Sequence, residues 1–387
     1  VAKLAAEGHE VSEELGFADY YIINTCAVTQ EAEKKSRQCI ARARKQNPAA
    51  KILICGCASE HNAKQFERDG VIYIGGTAKK DVLAELKDKP FEKTEIPLKY
   101  EEIGQAKSLR TRAYVKVQDG CNNFCSYCLI PYVRGRSRSR KIADVLAEVE
   151  SVARTAKEIV LTGINLSAYG ADIGLTLPDL IDALKGIDVR VRLGSFEMNV
   201  VDDRLLGSLK NLKAFCPHFH LSLQSGSDEV LRKMNRHYTV AEFYETVKRI
   251  RAAFPQAALT TDVIVGFPTE TEENFQETYM FIEKIGFSDI HVFRYSKRSG
   301  TVAAKFKQLP PEVSEVRAET LQKLKVKLRA AYQSKFINTP LEVLFEDEEG
   351  NYRTGYSRNY IKVYAKNVER NELKTVVPTE EYGDGLK

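Results

Sequence analysis

The stretch Gly120-Cys121-Asn122-Asn123-Phe124-Cys125-Ser126-Tyr127-Cys128 decides how the chain is read. Its cysteines stand at C-x3-C-x2-C spacing, after a strand-like run (Ala113–Gln118) and before a basic segment (Arg134–Lys141). Thiolates are the usual protein ligands of iron-sulfur clusters, and three in one tight loop hold three irons of a cubane. The fourth iron then stays open to a further ligand. Zinc is the competing reading, but it normally closes with four ligands, commonly in two close pairs. Three cysteines with no adjacent fourth fit it less well, although Cys216, His218 or His220 would complete such a site. Redox disulfides fit least, since neighbours in so tight a loop would not build a framework.

An open iron is the physical requirement of radical S-adenosylmethionine (SAM) chemistry. The methionine amine and carboxylate chelate that iron, and an electron from the cluster cleaves the sulfonium to a 5′-deoxyadenosyl radical. Tyr127, an aromatic residue just before the third cysteine, fits the same pattern.

Composition sets the frame. A chain of 387 residues, 43% of them hydrophobic, predicts two to three domains with packed cores. No apolar window of about 18 residues occurs, so no membrane span is expected. Eight cysteines without a secretory segment point to a reducing cytoplasm and to metal or redox use. The net charge of +5 says little about nucleic acid by itself; the distribution of charge matters more.

The chain opens inside a helical pattern (Val1–Gly8), so the start of its first domain is expected to lie outside it. Strand and helix patterns then alternate: Tyr20–Asn24, Glu31–Gln46, Lys51–Ile54, Ser59–Arg68, Val71–Ile74 and Lys79–Lys87. The alternation predicts a small parallel α/β domain over residues 1–90. Ligands in such sheets sit at the carboxyl ends of strands. Cys26 and Cys57 fall there and are candidates to ligate a second cluster, whereas Cys39 and Cys55 read as small hydrophobes. Charged residues 91–110 read as a linker.

Residues 111–335 carry a second series of βα units. Strand ends at Thr162-Gly163-Ile164-Asn165, Gly194-Ser195-Phe196-Glu197, Gln224-Ser225-Gly226 and Gly266-Phe267-Pro268 are polar and glycine-containing. This pattern predicts a partial (β/α) barrel with its site on that rim. Gly163, Asn165, Ser195, Glu197, Gln224 and Gly266 are the candidate cofactor contacts, together with Tyr127. Each alone is more often turn chemistry; their recurrence argues for one pocket. After the long basic helix Val313–Phe336, residues 336–387 turn to short strands and predict a small β-barrel. There Arg353 and Lys362 interleave with tyrosines, which suits RNA stacking and phosphate contact. A plain β-module with a solvated charged face fits equally well. Arg134, Arg136, Arg138 and Arg140 form a denser cationic run beside the cysteine loop, the second candidate for RNA phosphates.

The stretches Gly120–Arg140, Leu221–Thr239 and Thr261–Phe275 together resemble the radical SAM methylthiotransferases. The resemblance covers nearly the whole chain. It implies an N-terminal methylthiotransferase domain, a radical SAM core and a C-terminal TRAM module. Glu33–Gln38 and the Tyr132–Arg140 tail are most similar to the branch acting on N6-threonylcarbamoyladenosine at position 37 of tRNA. By that resemblance Cys121, Cys125 and Cys128 hold the SAM cluster, and Cys26 and Cys57 match two of three ligands of an auxiliary 4Fe-4S cluster. No cysteine precedes Cys26, so the auxiliary set is expected to be incomplete here. The resemblance further implies one SAM as methyl donor and one as radical source. The implied partners are the tRNA anticodon stem-loop and an electron donor such as flavodoxin; neither DNA nor a membrane is expected. Two other functions stay open: a ribosomal-protein methylthiotransferase, and a non-catalytic zinc-stabilised RNA-binding protein.

Overall fold

The computed structural model describes residues 4–5, 7–12, 14–64, 66, 71, 73–74, 86, 96–100 and 111–387. It falls into two compact units: Val1–Ala106 with Asp119–Arg138 and Ser296–Phe306, and Lys107–Gln118 with Ser139–Tyr295 and Lys307–Lys387. All but Leu86 of the expected helix Lys79–Lys87, most of the linker 91–110, part of Val1–Gly8 and, apart from Phe66, the end of Ser59–Arg68 lie outside the described residues.

In the first unit, β1 (Tyr20–Thr25), β2 (Lys51–Gly56) and β3 (Tyr73–Ile74) form a parallel sheet in that order. Between β1 and β2 runs α1 (Gln30–Gln46), started by Thr29, whose hydroxyl accepts from Ala32 N. Acidic Glu31 and Glu33 sit in its first turn and basic Arg44 and Lys45 in its last, each complementing the helix dipole. Its Ile40 and Ala43 pack on Ile52 and Ile54. The short α2 (Cys57–His61) follows β2 without a break.

The second unit holds β4 (Arg112–Asp119) up to Gln118, β5 (Arg138–Ser139) from Ser139, β6 (Glu158–Gly163) and β7 (Arg190–Leu193), in the order β5-β4-β6-β7. A separate parallel sheet has the order β10-β9-β8, from β8 (His218–His220), β9 (Ala258–Val265) and β10 (Asp289–Arg294). The helices of this region are α3 (Ile130–Val133), α4 (Ile142–Val152), α5 (Leu177–Ala183), α6 (Asp203–Lys210), α7 (Asp228–Lys233), α8 (Val240–Ala253), α9 (Glu272–Ile285) and α10 (Pro311–Gln333). Val145 and Val149 of α4, Leu180 of α5, Val247 and Ile250 of α8 and Ile282 of α9 share one apolar core with the strands.

The expected barrels are corrected: among the described residues none of the four sheets closes. There the sheet holding β4, β6 and β7 meets the β10-β9-β8 sheet through the isolated bridges Val191–Phe215 and Phe196–Leu221. With three residues, β8 is too short to carry a continuous ladder between them. The C-terminal strands are β11 (Leu341–Glu349), β12 (Tyr352–Ser357), β13 (Lys362–Ala365), β14 (Leu373–Val376), β15 (Glu381–Tyr382) and β16 (Gly385–Leu386). They make one open mixed sheet, β14-β11-β12-β13-β16-β15. Closure needs a matched tilt and stagger that brings the edge strands together; β14 and β15 remain edges.

A buried ionic cluster sits at the amino ends of β4, β6 and β7. Glu158 is fully buried, with Arg192 Nε at 2.6 Å, Arg112 Nε at 3.5 Å and Arg190 Nη1 at 3.7 Å. Arg190 also reaches Glu342 Oε1 at 2.8 Å, and Arg192 donates to Ser357 O at 3.2 Å. Burial alone would raise the Glu158 carboxyl, but Arg192, then Arg112 and Arg190, hold it below the usual carboxylate value. Its stabilisation is therefore complete above that usual value and is lost as acid titrates through the lower folded one. Glu158→Gln is expected to cost about 3–5 kcal/mol, because it strands buried guanidiniums. Thermal unfolding across acid pH checks this: the variant should melt lower and lose the part of the acid dependence that Glu158 supplies.

Candidate functional site

The cysteine loop is held by its ends. Gly120 has φ +73°, and a Cβ there would lie 1.9 Å from Arg136 O. Only glycine lets these two backbone segments approach so closely. Next to it Cys121 N donates to Gly135 O at 3.1 Å. Phe124 takes the left-handed conformation at φ 48°, and Cys128 N donates to Cys125 O at 3.0 Å, so the chain turns back within the motif. The Phe124 ring meets Tyr132 edge-on at 5.7 Å, with the Arg136 guanidinium 4.5 Å from the Phe124 ring centre. The thiols of Cys121, Cys125 and Cys128 and the ring of Tyr127 are half-buried.

These residues fit an iron-sulfur cluster. The donors are soft sulfurs on one braced loop, and Ile130 N–H points to Cys128 Sγ at 3.5 Å. Hydrogen bonds of that kind to ligand sulfurs tune such clusters.

Asp119 organises the basic segment. Its carboxylate accepts from Gly120 N at 2.8 Å, Arg134 Nη1 at 3.3 Å and Arg138 Nη2 at 3.2 Å. Arg134 also donates Nε–H to Cys57 Sγ at 3.1 Å. Burial works against the Arg134 charge, but Cys57 and Asp119 outweigh it and raise the guanidinium pKa. In the second unit Arg140 pairs with Glu148 at 2.5 Å. Of the four arginines expected at phosphates, Arg138 and Arg140 are buried, Arg134 is half-buried, and Arg136 is exposed.

Cys26 and Cys57 lie where the strand pattern placed them. Thr25 pairs with Gly56 in register, so the two cysteines follow the ends of adjacent parallel strands. Gly56, at φ +108°, is required because a Cβ would stand 2.4 Å from Thr25 O. Cys57 is buried and Cys26 half-buried. Cys55 instead packs with Leu53 in a separate cluster, while Cys39 on α1 is exposed.

The polar strand ends of the second unit are braced by residues that spacing did not single out. Asn165 N donates to Gln118 Oε1 at 2.9 Å, and the Asn165 side chain accepts from Ser167 N at 3.1 Å. Glu197 pairs with Arg236 at 2.8 Å, and its backbone N–H donates to Ser167 Oγ at 2.7 Å. Gln224, at φ 66°, bridges to Val263 beyond the end of β8. Gly266 N donates to Glu270 Oε2 at 2.7 Å, and Arg317 pairs with that oxygen at 2.6 Å. Burial keeps the Glu270 carboxyl above its ordinary value despite both contacts. Ser195 is exposed and lines a cavity of about 540 Å³. Gly163, Asn165, Glu197, Gln224 and Gly266 are not among the residues lining that cavity.

The C-terminal candidates are also engaged. Arg353 pairs with Glu348 at 2.7 Å, and Lys362 with Glu349 at 2.6 Å and Asp384 at 2.9 Å. Tyr356 and Tyr360 stack at 4.7 Å, and His218 covers Tyr360 at 4.5 Å.

Comparison with known proteins matches residues 115–282 to the radical SAM superfamily and residues 1–74 to uncharacterized protein family UPF0004. The threonylcarbamoyladenosine tRNA methylthiotransferase MtaB of Bacillus subtilis is 39% identical over 376 residues, 91% of this chain and 83% of that protein. The enzyme of the same name from Thermotoga maritima is 35% identical over 359 residues, 90% of this chain and 83% of its own. The tRNA-2-methylthio-N(6)-dimethylallyladenosine synthase of Desulfitobacterium hafniense is 35% identical over 388 residues, 92% of this chain and 84% of that protein. Among solved structures, the radical S-adenosylmethionine methyltransferase TsrM of Kitasatospora setae superposes with a TM-score of 0.56 at 14% identity. The match covers 72% of this chain and 64% of that one, and shows likeness of fold alone.

Gly120→Ala tests the brace of the cysteine loop. It adds both a strained φ and a backbone clash, whereas Gly174→Ala, at φ +71° with nothing within 4 Å of the new Cβ, adds only the strain. The strain is expected to cost each about 1–3 kcal/mol. The alanine at 120 should in addition lower the iron retained per chain after anaerobic reconstitution, measured by iron assay, while that at 174 should not.

Proposed function

Because the chain belongs to the radical SAM methylthiotransferase family, we propose that it adds a methylthio group to a modified adenosine of tRNA, with N6-threonylcarbamoyladenosine as the acceptor. The observation that carries the chemistry is the braced loop presenting Cys121, Cys125 and Cys128 from one turn. Likeness to the threonylcarbamoyladenosine enzymes, at 39% and 38% identity for two of them, supports the choice of acceptor. Likeness at 35–36% to dimethylallyladenosine synthases makes that adenosine the second candidate.

Under this reading Cys121, Cys125 and Cys128 hold the 4Fe-4S cluster that binds SAM, and Cys26 and Cys57 give thiolates to a second cluster. When bound, the first supplies the electron that cleaves SAM to a carbon radical able to attack the unactivated C2–H bond of adenine. The protein's own groups position the reactants. Gly163 and Gly266 let Gln118 and Ser314 pack close to the backbone at the ends of their strands, where we place the nucleoside. Glu197, held by Arg236, presents a carboxylate to hydroxyl donors, while Asn165, Ser195 and Gln224 offer further polar contacts. Tyr127 packs beside the methionine moiety. Arg134, donating to Cys57 Sγ, holds that side chain in place and keeps positive charge beside it. We read residues 1–90, 91–110, 111–335 and 336–387 as the methylthiotransferase domain, linker, radical SAM domain and RNA-binding module. The work is placed in the cytoplasm, with a one-electron donor of the flavodoxin class. Among the described residues, no helix is long and apolar enough to cross a membrane.

Arg136 is the best-placed phosphate contact of its run, since it is the exposed one. The adenine must leave its stack at a cost of a few kcal/mol, which contacts to the anticodon stem offset.

Three outcomes follow. Cys125→Ala should abolish formation of 5′-deoxyadenosine from SAM, measured by chromatography under reducing conditions; product at the parental rate would refute the assignment of the loop. Arg136→Gln should weaken tRNA binding and lower the slope of log affinity against log salt by about one, measured by titration at several salt concentrations. The cluster-loaded enzyme should methylthiolate tRNA bearing the threonylcarbamoyl group and spare tRNA lacking it, read by nucleoside mass spectrometry. Equal product from both, or product only on dimethylallyladenosine or a ribosomal protein, would overturn the acceptor.

A further inference from the structure

Sheet β10-β9-β8 carries a cluster unrelated to the cysteine loop. Register sets His291 of β10 opposite Asp262 of β9, and His220 of β8 opposite Thr260, one pleat along the same strand. Side chains alternate along strands, so Thr260 and Asp262 share a face. Their face lines the cavity of about 540 Å³.

His220 Nε2 lies 3.3 Å from Asp262 Oδ2, and His291 Nδ1 lies 3.2 Å from Asp262 Oδ1. One ligand atom from each of the three residues can be chosen so that all lie within 4.8 Å of one another. Around a tetrahedral ion with bonds of about 2.0–2.1 Å, neighbouring donors stand about 3.3 Å apart. The competing account is a plain hydrogen-bonded His-Asp-His network. Against it, His220 is 93% buried (7% exposed), and its Nε2 has no hydrogen-bond partner despite the nearby carboxylate. The other ring nitrogen, Nδ1, is 2.9 Å from Thr260 Oγ1. That contact orients the ring and lets Nε2 present its lone pair, the usual outer-shell arrangement of a ligating histidine.

The surrounding charges permit a cation. Arg112 and Arg192, which line the same cavity, are committed to Glu158. Arg329 is paired with Asp289, and Lys362 with Glu349 and Asp384. Asp262 thus keeps its charge for the two imidazoles.

We propose that His220, Asp262 and His291 form a site for a divalent first-row metal ion, zinc before the others. Two imidazoles and one carboxylate suit such ions better than magnesium or calcium, which prefer all-oxygen shells. The side chain of His291 is 49% exposed, so the site is open on that side and leaves a position for water or an anionic oxygen.

Zinc binding to the cluster-loaded holoenzyme tests this, with the Cys121, Cys125 and Cys128 thiolates already occupied. Equilibrium dialysis against Zn²⁺ is followed by metal analysis of the wild type, His291→Ala and Asp262→Asn. The wild type should bind one equivalent more than either variant, or bind it at least about tenfold more tightly. X-ray absorption at the zinc edge should show nitrogen and oxygen neighbours only. His291→Ala changes a half-exposed side chain, and unchanged melting of that variant separates ligand loss from misfolding. Equal zinc in all three proteins, or sulfur in the metal shell, would overturn the site. Neither result bears on the tRNA reading, because the readout is metal and not product.

Discussion

One buried carboxylate holds the second unit together. Glu158 starts β6 and faces guanidiniums from β4 and β7, and two of these, Arg190 and Arg192, continue to carbonyls of the C-terminal strands. Buried ions are costly unless paired and fully hydrogen-bonded. The arginines meet that demand by using their remaining N–H groups on backbone of β11 and β12. The ionic cluster is therefore also the joint between the parallel sheet and the C-terminal sheet. A hydrophobic joint of equal area would tolerate sliding, because apolar contact has no direction. Forked guanidinium bonds to named carbonyls fix a register.

The first unit uses the same device on a smaller scale. Asp119, at the end of β4, is buried and gathers Gly120 N, Arg134 and Arg138. A run of alternating arginines reads in one dimension as a cationic stripe for a polyanion. In three dimensions Arg138 is turned inward to brace the cysteine loop, and Arg134 is spent on Cys57 and Asp119. Gly120 completes the brace by letting the backbone of Arg136 come within contact of its own. Positioning of the thiols is thus bought by charges that a sequence reading assigns to the solvent.

What the sequence made legible follows from what periodicity and spacing report. Short runs rich in apolar and aromatic residues located β1 and β2 within two residues, because pleated, largely buried strands favour such side chains. Cys26 and Cys57 could be placed at strand ends for the same reason. The short helices α5 and α6 were not anticipated: seven or eight residues hold too little periodicity. Their signal lay in the capping groups, Thr176 with Asp179 and Asp202 with Leu205 N. Sheet closure was misjudged because alternation tells which face is buried and never which edge finds a partner. The braces Gln118, Arg236 and Arg317 were missed because each acts across a long stretch of chain on a residue that looked sufficient alone.

The same limit explains why His220, Asp262 and His291 escape a motif search. Their positions are related by strand register across three parallel strands and by nothing in their local spacing. Parallel sheets make such groupings readily, because every strand presents alternate residues to one shared face. Most polar groups so placed are neutralised by their neighbours, as Asp289 is by Lys325 and Arg329. His218 Nδ1, Glu270 Oε1 and Arg317 Nε are also buried without a hydrogen-bond partner, so the Nε2 of His220 does not mark a ligand by itself. What sets it apart is its company: a second imidazole and a carboxylate bring their donor atoms within 4.8 Å of one another around it.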